Sequence, residues 1–540
     1  MNKGNVYTQE DALCFCAATC GGGARPCAWV GGTAAGVFSR EVVSLRTTLS
    51  VLCLAAAMLA GVLCGPRACR AAPAGQLALS PCQLHQALDL TLVQAECGRL
   101  AVPENPAAPG GRQISLRLAV VPAISTRKRP DPLFVLAGGP GMGAASFYTS
   151  VAPVFALIHR DRDIVLLDQR GTGDSNALDC ESSGDDLLQS TTAQIVAATE
   201  RCLKMLSAHA DVRFYTTSIA IQDLDRVRAG LGYDRINLYG SSYGTIVAQQ
   251  YLRRFPDRVR SVILDGVVPP QLALGATSAL DAQATLSSIF SRCARQPACH
   301  ARFGDPAAAY QQVRAELSGR PVWVDLTDPT SGAPQRLQFT SYQLAMVLRL
   351  ASYTPELAAL LPLDLHEASA SSNFAPLAGQ FLLIDRVYGD AIAEGMNDTV
   401  VCSEDVPFYH VSSEERAALA KTFLGTSQLD GLEAICGVWP RGPMDPDFHQ
   451  PLHSAVPALL LSGGNDPITP PRYAAEAARG FTHSLSLVVP EFGHGQLTDP
   501  CMAGVMAQFV RRASVSGLDT ACTHHLSPMP FFLTRNGPTP

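Results

Sequence analysis

The stretch Asn237–Thr245 reads NLYGSSYGT. Within it Gly240-Ser241-Ser242-Tyr243-Gly244 fits G-x-S-x-G and singles out Ser242. A serine hydroxyl is a weak nucleophile until a base takes its proton. A base and a carboxylate to orient it stand far downstream. Asp466 follows ALLLSGGN and His494 follows LSLVVPEFG, each after an apolar, strand-like run. In the chain order serine, acid, histidine, the three side chains could attack a carbonyl carbon. His494 would relay the Ser242 proton, and Asp466 would fix the ring's tautomer and stabilise its charged form. Asp265, at the end of VRSVILD, is a rival acid read as structural, and Asp499 reads as part of a helix N-cap.

Such an attack builds negative charge on the substrate oxygen, which needs two fixed donors. One would be the backbone N–H of Tyr243. The other would come from the loop AGGPG (Ala137–Gly141), with Gly139 first and Gly138 in reserve. The competing reading of Gly240–Gly244 is a glycine-rich turn in a nucleotide-binding sheet. Its first strand-to-helix loop should then carry a phosphate motif, and GGPGMG fits neither G-x-G-x-x-G nor G-K-[ST].

The elements that must position these groups alternate. ISLRLAVV (Ile114–Val121) has the two-residue period of a half-exposed strand. PLFVLAGG (Pro132–Gly139) and DIVLLDQRGTG (Asp163–Gly173) are short apolar runs opening into glycines. TSIAIQDLDRVRAGLG has helical spacing with a glycine stop. RINLYG reads as a strand, SYGTIVAQQYLRRFP as a helix ending before Pro256, and VRSVILDGVVPP as a buried strand. Buried strands alternating with helices imply an α/β fold with a mostly parallel sheet covered on both faces. From about residue 272 the pattern turns helical, and strand–helix alternation resumes at Val456. We therefore expect a sheet domain over 73–271 and 441–540, interrupted by a helical cap over 272–440.

Residues 1–72 read as an N-terminal extension and a signal peptide. LSVLCLAAAMLAGVLC (Leu49–Cys64) is one apolar run preceded by Arg40 and Arg46, with a cleavage site expected after Ala71 or Ala72. An uncleaved anchor is the alternative. Export to a periplasmic or extracellular compartment changes how the cysteines read. Seven of the 17 lie at or before Cys69. The other ten (Cys82, Cys97, Cys180, Cys202, Cys293, Cys299, Cys402, Cys436, Cys501, Cys522) fall into five sequence-near pairs. These are disulfide candidates, with neighbour pairing the simplest connectivity. With no C-x-x-C after Cys69 and no H-E-x-x-H, we expect no metal, and no other cofactor. The chain is 47% hydrophobic and 16% charged, with net charge −6 and no basic stripe, which argues against nucleic acid as a partner.

GGPG, DQRGTGDS (Asp168–Ser175), YGSSYGT, VILDGVVPP, NDPITP and GHG together resemble the proline iminopeptidase and tripeptidyl aminopeptidase group of α/β-hydrolase serine peptidases. The similarity runs from about residue 95 to 522 and is nearest the exported tripeptidyl-aminopeptidase-like branch. Ala137 departs from the histidine that iminopeptidases often carry before the glycines. Thr469, three residues after Asp466, matches a threonine typical of the tripeptidyl branch; structural and catalytic roles are both open for it. The resemblance implies peptide substrates with a free N-terminus, and therefore a carboxylate for the ammonium group. Glu404, with Asp405 beside it in VVCSEDVPF, stands where related enzymes carry an acidic residue. Asp168 and Arg170 are expected to brace loops. Two other functions share the same residues: a carboxylic-ester hydrolase, and a catalytically silent binding protein on a hydrolase scaffold. No stable membrane partner is expected unless the signal is retained.

Overall fold

A computed structural model describes residues 77–85, 92–180, 191–389, 391–497 and 499–539. The expected signal peptide, its cleavage site and the first seven cysteines lie outside the described residues. The strands in chain order are β1 (Ser80–His85), β2 (Leu92–Pro103), β3 (Gln113–Val121), β4 (Leu133–Leu136), β5 (Ile164–Leu167), β6 (Ile236–Ser241), β7 (Val259–Asp265), β8 (Val322–Thr327), β9 (Pro334–Phe339), β10 (Ala458–Gly463) and β11 (Ser484–Val489). Nine of them form one sheet in the order β1-β2-β3-β5-β4-β6-β7-β10-β11. The ladder is antiparallel from β1 to β5 and parallel from β5 to β11.

The apolar runs are continuous because both faces of the parallel strands are covered. Phe134, Leu238, Val262 and Leu460 face one core, and their neighbours Val135, Tyr239, Ile263 and Leu459 face the other. Successive side chains in a strand point to opposite sides, so a strand sealed on both sides has no solvent-facing position and is mostly apolar. The order of β6, β4 and β5 places the loops after β4 and β6 side by side at the C-terminal edge, with the loop after β10 two strands beyond β6.

Between β7 and β10 the chain leaves the sheet for a mainly helical insertion, with its own core around Leu286, Phe290, Val313, Leu348, Leu361 and Phe374. The insertion also holds the antiparallel hairpin β8–β9, which the helical expectation did not include. Its local signals are the alternation in VWVDLT and the turn at Asp328, whose Oδ1 accepts from the Thr330 and Ser331 amides. The sequence boundary at 441 also misses a crossing at the end of the chain. Phe531 and Leu533 are buried in the insertion's core, and Arg535 ion-pairs with Asp364 and Glu367 on its helix Pro355–Ser371. Five disulfides join Cys82–Cys97, Cys180–Cys202, Cys293–Cys299, Cys402–Cys436 and Cys501–Cys522, the neighbour pairing. They fit folding in an oxidising compartment. Among the described residues no helix is long and apolar enough to cross a membrane.

Candidate active site

Ser242 stands between β6 and the helix Tyr243–Arg254 with φ 54° and ψ −121°. A non-glycine residue held there stores strain of about 1–3 kcal/mol, which the surrounding packing must hold. The reason for the flanking glycines is measurable. A Cβ at Gly240 would come within 2.3 Å of the Gly244 carbonyl oxygen. A Cβ at Gly244 would come within 2.4 Å of the Leu136 carbonyl oxygen on β4. The turn is therefore pressed between its own helix and the neighbouring strand, and no side chain fits at either position.

Asp466, after β10, is 2% exposed. Its Oδ1 accepts from the amides of Ile468 (2.9 Å) and Thr469 (2.7 Å), and its Oδ2 from the Thr469 hydroxyl (2.7 Å). The same Oδ2 lies 2.8 Å from His494 Nδ1, and Thr469 Oγ1 is 3.1 Å from that nitrogen. An ionised carboxylate only accepts, so Nδ1 carries the proton and Nε2 is the basic nitrogen. Burial raises the Asp466 carboxyl, but the imidazole charge and the hydrogen bonds from His494 and Thr469 outweigh it, and the net shift is downward. Burial lowers the imidazole, but Asp466 outweighs that too, and His494 lies above its ordinary value.

The histidine loop is fixed from two sides. The His494 amide donates to the Tyr353 carbonyl of the insertion at 2.8 Å. The Gln496 amide donates to both oxygens of Asp265 (2.9 and 3.0 Å), which also accepts from the Tyr239 hydroxyl (2.9 Å). Asp265 thus holds the backbone beyond the histidine while Asp466 holds the ring. Asp499 caps the helix Pro500–Arg512 through the Cys501 amide. Asp168 accepts from the Ala145 amide, and Arg170 binds Asp223 (2.6 Å) and the carbonyls of Glu104 and Phe214. Both brace loops behind the site.

Ser242 and His494 line one cavity of about 510 Å³, together with Gly138, Gly139, Met142, Arg349, Tyr353, Ile392 and Asp405. Gly138 is the tighter neighbour of the serine: a Cβ there would sit 3.2 Å from Ser242 Cβ and 3.8 Å from its Oγ. A Cβ at Gly139 would meet the Gly141 and Met142 amides and Ile392 instead. The Tyr243 ring points away from this cavity. Its hydroxyl accepts from Gln169 Nε2 (2.9 Å) and lies 2.6 Å from Thr217 Oγ1, so the residue can offer the cavity only its backbone.

The two acidic candidates part company. They share a wide π-type turn, Val401–Asp405, tied to the helix Ser427–Val438 by Cys402–Cys436. Glu404 is 2% exposed, and both its oxygens are engaged by Thr217, through the amide and the hydroxyl at 2.7 Å each. It closes the start of the helix Thr217–Gly230 and does not line the cavity. Asp405 does line it, with Oδ1 accepting from the Leu274 amide at 2.7 Å. Burial lifts Glu404 to about 8 and Asp405 to about 7. Sequence reading passed over Arg349, Tyr353 and Gln428. They come from the insertion's helices and the turn after one of them, belong to no motif, and reach the site only through tertiary packing.

Residues 131–324 match the family described as alpha/beta hydrolase fold, and residues 421–522 the family described as TAP-like protein. The serine protease Hip1 of Mycobacterium tuberculosis (strain ATCC 25618 / H37Rv) is 27% identical over 422 residues, 72% of this chain and 80% of that protein. The tripeptidyl aminopeptidase of Streptomyces lividans is 25% identical over 463 residues, 81% of this chain and 85% of that protein. Carboxylesterase B of Mycobacterium tuberculosis (strain CDC 1551 / Oshkosh) is 29% identical over 493 residues, 82% of this chain and 89% of that protein.

Proposed function

We propose that this chain, a serine hydrolase of the α/β-hydrolase family and of peptidase type, is an exported aminopeptidase that releases short N-terminal segments from peptides. Ser242 attacks the scissile carbonyl while His494 Nε2 takes its proton. The Oγ–C bond forms, and negative charge collects on the carbonyl oxygen. The backbone N–H of Tyr243 and that of Gly139, or Gly138 behind it, receive that oxygen; one such donor is worth about 2.7–4 kcal/mol in the transition state. The C–N bond then breaks and the His494 proton passes to the leaving amine. Water, activated by His494, hydrolyses the acyl-enzyme and restores Ser242. Asp466 orients the ring throughout, and the Thr469 hydroxyl supports the carboxylate.

The observation that carries the aminopeptidase reading is Asp405, a carboxylate on the wall of the cavity shared by Ser242 and His494. It is the group suited to a substrate ammonium. A second reading, a carboxylic-ester hydrolase, draws on the carboxylesterase-named relative and on the apolar side chains Phe147, Val151, Leu350, Ile468 and Leu497 in the same lining.

Side-by-side kinetics decide between them. Wild type should turn over Ala-Ala-Ala-p-nitroanilide far faster than its N-acetyl form, and Ser242→Ala should abolish turnover with an unchanged melting temperature. A preference for the N-acetyl peptide, or for simple acyl esters, would favour the esterase. Full activity in Ser242→Ala would remove both readings.

A further inference from the structure

The cavity at Ser242 carries charge on two sides. Besides His494, the charged side chains lining it are Asp405 and Arg349. Arg349 lies in the last turn of the helix Ser341–Ala351 and is only half-buried. Its Nη1 donates to the neutral Gln428 Oε1 at 2.9 Å and the guanidinium also engages the neutral Tyr353 side chain, while its Nε is buried with no hydrogen-bond partner. Among the described residues it forms no ion pair, whereas the more deeply buried arginines do: Arg170 with Asp223, Arg162 with Asp131, Arg292 with Glu491. A guanidinium taken partly out of water without a counter-charge is costly, and its planar fork matches a carboxylate.

Its position gives that vacancy a use. Arg349, Gln428 and Leu432 line both the Ser242 cavity and a second cavity of about 770 Å³. Arg349 therefore stands where the two meet. The carboxylates lining the second cavity are Glu394 and Asp430. Asp430 is already paired with Arg416, and Glu394 is held toward its neutral form by burial. Arg349 is also near enough to His494 to oppose protonation of the ring.

We propose that Arg349 is a specificity determinant that binds a carboxylate carried by the substrate. It can do so only if the cavity at Ser242 is the substrate site, as read above. The carboxylate has two sources: an acidic side chain in the released segment, or the free C-terminus of a short peptide whose ammonium sits at Asp405.

The test is a set of specificity ratios in kcat/KM. One arm compares Glu with Gln at each position of free-amine tripeptidyl anilides. A second compares short peptides ending in a carboxylate with their C-terminal amides. A third compares p-nitrophenyl hemiglutarate with p-nitrophenyl valerate, which needs no amine. Wild type should favour the acid in at least one arm by about tenfold or more. Arg349→Met should bring that ratio close to one, and Arg349→Lys should keep part of it. A Glu/Gln effect identifies the side chain, and an acid/amide effect identifies the terminus. Inactive anilides with an Arg349-dependent ester ratio would retire the aminopeptidase reading and keep this assignment. Wild-type ratios near one in every arm, or ratios that survive Arg349→Met, would overturn it.

Discussion

Burial lifts the Asp405 carboxyl to about 7. Burial pulls the His494 ring down, yet Asp466 leaves it above its ordinary value. On the proposed mechanism both must lose a proton for a free-amine peptide to react: Asp405 to bind the ammonium, His494 to act as base. Turnover of such peptides should rise with pH through about 7. It should fall again near pH 8, where the substrate's own α-amine deprotonates (ordinary pKa about 7.7–8.0). An N-acetylated ester meets only the histidine requirement, so its kcat/KM should rise to a plateau. Asp405→Asn keeps the acceptor for the Leu274 amide but removes the charge. It should cost free-amine peptides about tenfold or more relative to the N-acetylated ester. Superimposable pH profiles for the two substrates, or equal losses in the variant, would place the ammonium elsewhere.

At the scale of the element, the strand–turn–helix from β6 through Ser242 is held by close backbone approach. The Gly240 and Gly244 positions face carbonyl oxygens at 2.3 and 2.4 Å from where a Cβ would be. Neither carbonyl belongs to a flexible side chain, so Gly244→Ala has to push the helix Tyr243–Arg254 away from β4. We expect a melting temperature several degrees lower, and activity lost out of proportion to the fraction unfolded, because Ser242 and the Tyr243 amide move with the helix. A variant with wild-type melting temperature and turnover would show that the turn relaxes freely. The polar chain Gln169–Tyr243–Thr217–Glu404 ties the same helix to the insertion, and gives Glu404 its place as an anchor of that element.

Across the whole molecule, the chain's last residues hold the insertion. Arg292 Nη1 donates to the Met529 carbonyl and its guanidinium lies over the Phe531 ring, while Arg535 neutralises the fully buried Asp364. A chain ending at Ser527 leaves Asp364 without its ion-pair partner and removes Phe531 and Leu533 from the insertion's core. Limited proteolysis should then cut within 272–440 well before the sheet domain; equal protection would mean the strap contributes nothing. A second whole-molecule expectation concerns pH. Burial raises Asp265 and Asp364 to about 6, Asp405 to about 7, and Asp398 and Glu404 to about 8. These carboxyls bind protons more tightly folded than unfolded. Their contribution is full below about pH 4 and is lost progressively as pH rises from about 4 through the folded values of 6–8. Asp163 and Asp466 are shifted down and act the other way below about pH 4. The melting temperature should therefore peak near pH 4–5 and fall from there toward about pH 8.5; a flat or rising curve from about pH 5 to 8.5 would contradict it.

Much of the sheet was legible in sequence, because a strand buried on both faces is apolar along most of its run and the run shows directly; the largely apolar runs Leu133–Leu136, Ile164–Leu167 and Ala458–Gly463 are strands β4, β5 and β10. The serine turn was legible too, since a Cβ at either flanking position would come within 2.5 Å of a backbone carbonyl, which demands glycine at fixed offsets. What the sequence by itself determined is this scaffold and the candidate residues at its rim; it offered neighbour pairing of the cysteines as the simplest connectivity, and the structure decided for it. The tertiary structure alone decided which acid faces the cavity. Glu404 and Asp405 are adjacent on one wide turn, and only packing against Thr217 and Leu274 sends one into a helix terminus and the other to the cavity wall. Arg349 was invisible for the same reason. Its charge matters only where the insertion folds back over the sheet edge, and no local pattern records what a helix will meet across a cavity.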